Sequence, residues 1–172
     1  MDTTNAASGQ FTFPDFIAKF PQVAMPIILG ETTHHVFSKE NEPLPIGMIQ
    51  QFVYPIENIE EADEFTEYIP CFSIEGTGDF IAIVWWKAEL LNYEYRLATF
   101  SLAGKLLASR VIGYTRVQKG QVHRAVATID TEWEINIAVG TTVDGNDVFD
   151  PSTTRTANLD LLANGQIIDY HG

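Results

Sequence analysis

A short signature recurs three times in the second half of the chain and constrains the fold more than any other feature. Ala98-Thr99-Phe100, Ala127-Thr128-Ile129 and Ala157-Asn158-Leu159 lie about 30 residues apart, each inside an alternation of apolar and polar residues. The first copy runs on through Ser101-Leu102-Ala103-Gly104-Lys105-Leu106-Leu107. The third runs on through Asp160-Leu161-Leu162-Ala163-Asn164-Gly165-Gln166-Ile167-Ile168. Both read as strand, tight glycine turn, strand. The middle copy places Asp130-Thr131-Glu132 at the turn and has no glycine there. Hairpins repeated at a fixed spacing build an antiparallel meander. Three copies are too few to close a propeller within one chain.

The rest of the second half agrees with a meander. Phe72 and Ile74 alternate with polar residues, and Glu75-Gly76-Thr77-Gly78-Asp79 reads as a turn. Phe80 to Trp86 is apolar at every position, as in a central strand covered on both faces. Further strands are predicted over 93–100, 106–112 (ended by Gly113), 122–129 and 132–139. In the last, Trp133, Ile135, Ile137 and Val139 share the inward face. Residues 140–153 read as a loop containing Gly145 and Pro151.

The first third reads differently. Residues 1–10 are small and polar, a frayed tail. Phe13, Phe16, Ile17 and Phe20 then fall at helical spacing between Pro14 and Pro21, which predicts a short amphipathic helix. Residues 22–44 read mostly as loop with one strand, and a second helix is predicted from Pro45 to Tyr54. Glu57, Glu60, Glu61, Asp63, Glu64 and Glu67 crowd acids into 57–67, an exposed short helix or loop with Ile59, Ala62 and Phe65 as its apolar edge. The expected architecture is α+β: a single domain with a tail (1–10), a helical and loop part (11–67) and a twisted or partly barrel-like meander of seven to nine strands (68–172).

The Phe-rich helix, the step Phe20-Pro21, the Leu44-Pro45 pair and the hairpins turning at Gly104 and Gly165 resemble a broad group of small bacterial proteins without an assigned function. Those proteins open on a short Phe-rich helix and end in β-hairpins with a Gly-Lys-like turn. Some look like immunity or accessory factors encoded beside toxins or secretion systems. The resemblance is made of structural motifs and transfers no catalytic residue.

Composition narrows the function classes. A net charge of −13 argues against coating nucleic acid or docking on anionic lipid. A hydrophobic fraction of 45% supports a packed core. Cys71 is the single cysteine, so no intramolecular disulfide forms, as suits a reducing cytoplasm. Charge is uneven along the chain. Lys87, Arg96, Lys105, Arg110, Arg116, Lys119 and Arg124 fall in 87–124 with only Glu89 and Glu94 as acids. The acids of 57–67 lying over these basic strands would explain the asymmetry; a basic patch for an anionic ligand is the alternative.

No spacing in the chain matches a nucleophile, phosphate-loop or metal signature. His34 and His35, read as neighbours in a strand, point to opposite faces and share no ion. Asp144, Asn146 and Asp150 are rich in oxygen, but Phe149 and Arg155 occupy the glycine and glutamate positions of a calcium loop. Cys71 reads as a buried thiol. No metal, cofactor or catalytic residue is expected.

Two binding readings follow. In the first, the protein is a non-enzymatic, acidic, immunity-like or accessory factor whose surface at Glu57, Glu60, Glu61, Asp63, Glu64 and Glu67 masks a basic protein partner. In the second, an aromatic-lined cavity using Trp85 or Trp86, Tyr93, Tyr95 and Trp133 takes a small molecule. An enzyme with a carboxylate site is the third reading.

Overall fold

The computed structural model describes residues 11–61, 63–143 and 151–170. The tail at 1–10, Ala62, the oxygen-rich loop at 144–150 and His171 lie outside the described residues. The fold is a mainly antiparallel sheet of ten strands with a few short helices on it, and the sheet is not closed.

Helix α1 (Phe13–Ile17) starts in a capping box. Asp15 N–H donates to Thr12 Oγ1 at 3.2 Å, and Thr12 N–H donates to Asp15 Oδ2 at 3.0 Å. The predicted stripe is real. Phe16 is fully buried, stacked on Phe52 at 4.7 Å, and Phe13 meets Phe100 at 5.2 Å.

The segment read as mostly loop instead holds β1 (Gln22–Val23), β2 (Ile27–Leu29) and helix α2 (His34–Glu40). Phe37 anchors α2 in the core, and the following Asn41 fastens its end to β3 (Glu67–Ile74). The Asn41 amide donates to Pro70 O at 2.7 Å and Cys71 O at 2.8 Å, where a register shift interrupts the ladder. An amide side chain thus caps carbonyls next to the irregular step of the strand.

The second predicted helix is also longer and less regular. It comprises α3 (Ile46–Met48), a π-helical stretch (Ile49–Val53) and α4 (Tyr54–Glu57). Pro55 lacks an N–H for the α-helical ladder, and the turn before it widens accordingly. Asn58 then ends the helix in the left-handed region at φ 57°. Of the acidic segment beyond it, residues 58–61 and 63–66 are loop, and Glu67 opens β3. Phe65, expected on a buried edge, is 81% exposed.

From β3 the chain meanders through β4 (Phe80–Glu89), β5 (Asn92–Ser101), β6 (Leu106–Gln118), β7 (Gln121–Ile129), β8 (Glu134–Val143), β9 (Arg155–Leu161) and β10 (Ile167–Asp169). The end predicted for β6 at Gly113 does not occur. A register shift between Val111 and Gly113 interrupts the β5–β6 ladder, after which Gly113 faces Tyr95 and the strand continues to Gln118. Likewise β8 starts and ends later than predicted.

β4 divides two cores, as its apolar run requires. Phe80, Ala82, Val84 and Trp86 join Leu97, Ile129, Ile135 and Leu159 on one side. Ile83 and Trp85 join Phe16, Val53, Tyr54 and Phe100 beneath the helices on the other.

The concave side is shaped by a splay. β6 and β7 pair only from Tyr114↔Ala125 to their turn, and β2 takes the free edge of β7 through Ile27↔Ile129 and Leu29↔Ala127. The β9–β10 hairpin curls back over the sheet. There Thr99 Oγ1 donates to Gly165 O at 2.6 Å, and Arg110 pairs with Asp169 at 2.9 Å.

All three repeat copies turn alike. Ser101 N–H donates to Lys105 O, Asp130 N–H to Glu134 O and Leu162 N–H to Gln166 O, at 2.8, 3.0 and 2.8 Å. The fourth residue of each turn has positive φ: Gly104 at 96°, Gly165 at 87° and, in the middle copy, Trp133 at 64°. Trp133 therefore does the glycine's job, just outside the strand in which it was expected. Its indole remains inside, edge-on to Phe80 at 5.8 Å.

Candidate functional site

A cavity of about 380 Å³ opens on the concave face where β4 to β7 pass beneath the connection from β2 to α2. Trp86, Tyr93 and Tyr95 line its floor, and Gly30, Glu31, Thr32, His34 and His35 form its roof. Strand alternation selects the floor: Trp86 and Tyr95 are cross-strand partners, and Tyr93 is two residues on from Tyr95's position toward the turn. The same alternation sends Trp85 to the opposite face. There it is fully buried under the helices and does not line the cavity. Trp133 lies with the core at Phe80, also outside the lining.

The floor depends on Gly113. A Cβ there would stand 3.2 Å from Ala125 O and 3.3 Å from Tyr95 Cδ2, so a side chain at 113 would push the phenol up by a few tenths of an ångström from β6. Tyr95 Oη then donates to Gly30 O at 3.0 Å, tying floor to roof. Burial pushes the Tyr95 hydroxyl well above its ordinary pKa, so it stays a donor. Two further contacts hold the roof. Gly30 N–H donates to Thr33 Oγ1 at 2.9 Å, and Arg124 Nε donates to Glu31 Oε2 at 2.9 Å.

Along one wall the rings form a column. His34 lies on Trp86 with centroids 4.0 Å apart and planes inclined by 2°. His35 adds to one end, 4.1 Å from His34, and Tyr93 to the other, 5.9 Å from Trp86 at 14°. Tyr93 is 39% exposed, so the column ends on a partly open phenol. Burial, and then the neighbouring His35, lower the His34 pKa; the imidazole is neutral in neutral solution.

The histidines were expected on opposite faces of a strand. They instead open a helix, where successive side chains diverge by about 100° rather than 180°, and their rings touch. Sequence reasoning named Trp86, Tyr93 and Tyr95 but missed His34, Gly113 and the Gly30–His35 roof. The signal for the roof helix was the sequence Thr32-Thr33-His34-His35-Val36-Phe37, in which Phe37 alone turns to the core.

The acidic segment splits. Glu57 is turned inward, its side chain 2% exposed, with Oε1 at 3.4 Å from Lys87 Nζ and 3.5 Å from Arg96 Nε. Glu60, Glu61, Asp63, Glu64 and Glu67 are exposed around Phe65. The cations of 87–124 pair mainly with other acids. Lys87 meets Glu89 at 2.6 Å, Arg116 meets Glu94 at 3.3 Å, Arg110 meets Asp169 and Arg124 meets Glu31. Among the described residues, Glu57 alone of the 57–67 acids pairs with these cations.

Cys71 is buried, and burial raises its thiol pKa far above the ordinary value, which disfavours a thiolate nucleophile. Among the described residues, no three His, Cys, Asp or Glu side chains converge as a metal site would require. Nor is any described helix long and apolar enough to cross a membrane. Comparison with protein-family models, curated proteins and solved structures finds no match.

Proposed function

We propose that this protein binds a small organic molecule in the cavity between the β2–α2 connection and the concave sheet. The observation that carries the reading is the ring column His35, His34, Trp86, Tyr93 along one wall of a roofed cavity. Aromatic walls with a few polar groups at the rim are the usual make-up of a ligand pocket. The roof is anchored by Tyr95, Thr33 and Arg124, so the site is formed before a ligand arrives and little ordering cost opposes binding.

A thermal-shift screen of heterocycles, sugars and small ammonium compounds tests this. A ligand present at ten times its Kd adds about 1.4 kcal/mol, a shift of roughly 3 °C. The expected hit loses its shift in Tyr93→Ala. A screen in which every shift survives both Tyr93→Ala and Trp86→Leu overturns the proposal.

A second reading keeps the acidic loop as a docking surface for a basic protein. Its support is Phe65, 81% exposed and flanked along the chain by the exposed acids Asp63, Glu64 and Glu67, an apolar anchor with a steering field beside it. For this reading, a captured partner should lose affinity in Phe65→Ala and associate more slowly when Glu60, Glu61 and Glu64 become glutamine. A partner indifferent to both changes removes the loop from consideration.

A further inference from the structure

We infer that the cavity's ligand is an uncharged, hydroxyl-rich molecule the size of a single sugar ring, which meets the hydroxyls of Thr32, Tyr114 and Thr115 and packs on Tyr93. The inference rests on the small-molecule reading of the same cavity.

The charges of the lining point to a neutral ligand. Among the described residues, Glu31 is the one carboxylate that lines the cavity, and no lysine or arginine lines it. Arg124 neutralises Glu31 through the 2.9 Å contact to Oε2, and its Nη1 also donates to Thr142 Oγ1 at 2.9 Å. The His34 imidazole is neutral in neutral solution. A charged ligand would be desolvated without a counter-charge or would have to break the Glu31–Arg124 pair. An uncharged ligand meets neither cost.

The rings narrow the shape. Trp86 is 7% exposed because His34 and Tyr93 both stack on it. The member of the column left to meet a ligand is Tyr93, 39% exposed. A flat aromatic ligand therefore finds one partly open phenol rather than a slot between rings.

The hydrogen-bonding groups decide the class. Thr32, Tyr93, Tyr114 and Thr115 line the cavity, and their hydroxyls make no hydrogen bond with a described residue. Glu31 Oε1 accepts none from a described residue, and His34 Nδ1 is buried without a partner among them. The threonine and tyrosine hydroxyls donate and accept, the carboxylate oxygen only accepts, and a neutral imidazole nitrogen does one or the other. A ligand hydroxyl does both, so it suits every group in this set. An apolar or purely aromatic ligand would strip these groups of water and return no hydrogen bond. The cavity, about 380 Å³, lies low in the range of roughly 300–1,000 Å³ usual for ligand pockets, which suits one ring.

The test titrates glucose, galactose and mannose into the protein at fixed ionic strength, together with the amino sugar and the uronic acid of each. Heteronuclear NMR follows the backbone amides of 30–35 and 114–115. At least one neutral sugar is expected to shift these amides, and its two charged counterparts to bind about tenfold more weakly or worse. Thr32→Val and Thr115→Val remove a hydroxyl at nearly constant shape, and Tyr114→Phe does the same on a ring. Each should weaken the bound sugar several-fold, with folding checked by the dispersion of the remaining amides. A charged counterpart that binds as tightly as its neutral sugar overturns the uncharged assignment. A sugar indifferent to all three variants overturns the role of the hydroxyls. If no sugar moves these amides the inference fails, while an aromatic hit from the thermal-shift screen that depends on Tyr93 would still support the cavity.

Discussion

The imidazole of His34 lies flat on the indole of Trp86, 4.0 Å between centroids and within 2° of parallel. The contact joins the first turn of a seven-residue helix to strand β4 and makes one wall of the cavity. It also gives the roof a titratable part.

The folded-state pKa of His34 lies below its unfolded value, through burial first and His35 second. The unfolded chain therefore takes up the proton more readily. The stabilisation is present above the unfolded pKa, about 6.5, and is lost as the pH falls toward the lower folded value. His34→Phe, which keeps a ring on Trp86 but cannot titrate, should flatten the fall in urea midpoint between about pH 7 and pH 5. Parallel pH profiles for the variant and the parent would contradict this coupling.

Gly165 and Gly120 share a positive φ but not an environment. A Cβ on Gly165 would sit 2.7 Å from Leu107 Cδ1 and 3.3 Å from the Phe80 ring, whereas one on Gly120 meets nothing within 4 Å. Gly120→Ala should cost about 1 kcal/mol of backbone strain, and Gly165→Ala about 2–4 kcal/mol because the core must also shift. Denaturant midpoints for the pair decide it: equal losses would mean the hairpin tip does not press on Phe80.

Trp133 poses the opposite trade. Replacing it with glycine relieves a left-handed backbone worth about 1 kcal/mol but removes an indole packed on Phe80, worth about 3–5 kcal/mol when fully buried. Because the indole is only partly buried, Trp133→Gly should be net destabilising by about 1–3 kcal/mol. A stabilised variant would show that the turn, not the side chain, sets the balance.

Glu57 and its acidic neighbours should behave oppositely. Glu57→Gln leaves buried Lys87 with Glu89 as its close partner and half-buried Arg96 without a carboxylate, and should cost about 1–3 kcal/mol. Changing Glu60, Glu61 and Glu64 to glutamine should leave stability unchanged or raise it, since the three are exposed and repel one another. Salt titration of the triple variant is the check: destabilisation that deepens at low salt would reveal internal pairs for these side chains.

Much of the fold could be read residue by residue. The two-sided apolar run of β4, the glycine turns at Gly104 and Gly165 and the phenylalanine stripe of α1 are local patterns, and each appears in the structure where its pattern lies. The middle turn could not be read this way. A tryptophan holds the left-handed conformation at 133 while its indole packs on Phe80, far away in the chain, and no local pattern announces that contact.

The candidate site divides along the same line. By itself the sequence determined that two adjacent tryptophans on β4 must face opposite ways and that Tyr93 and Tyr95 share a face, because strand side chains alternate. Only the tertiary structure decided which tryptophan meets the cavity. The helices α1, α3 and α4 cover Trp85, while β2 fills the splay between β6 and β7 and carries Gly30, Glu31 and His34 over Trp86. That choice depends on contacts between segments tens of residues apart, whose energies no local alternation records.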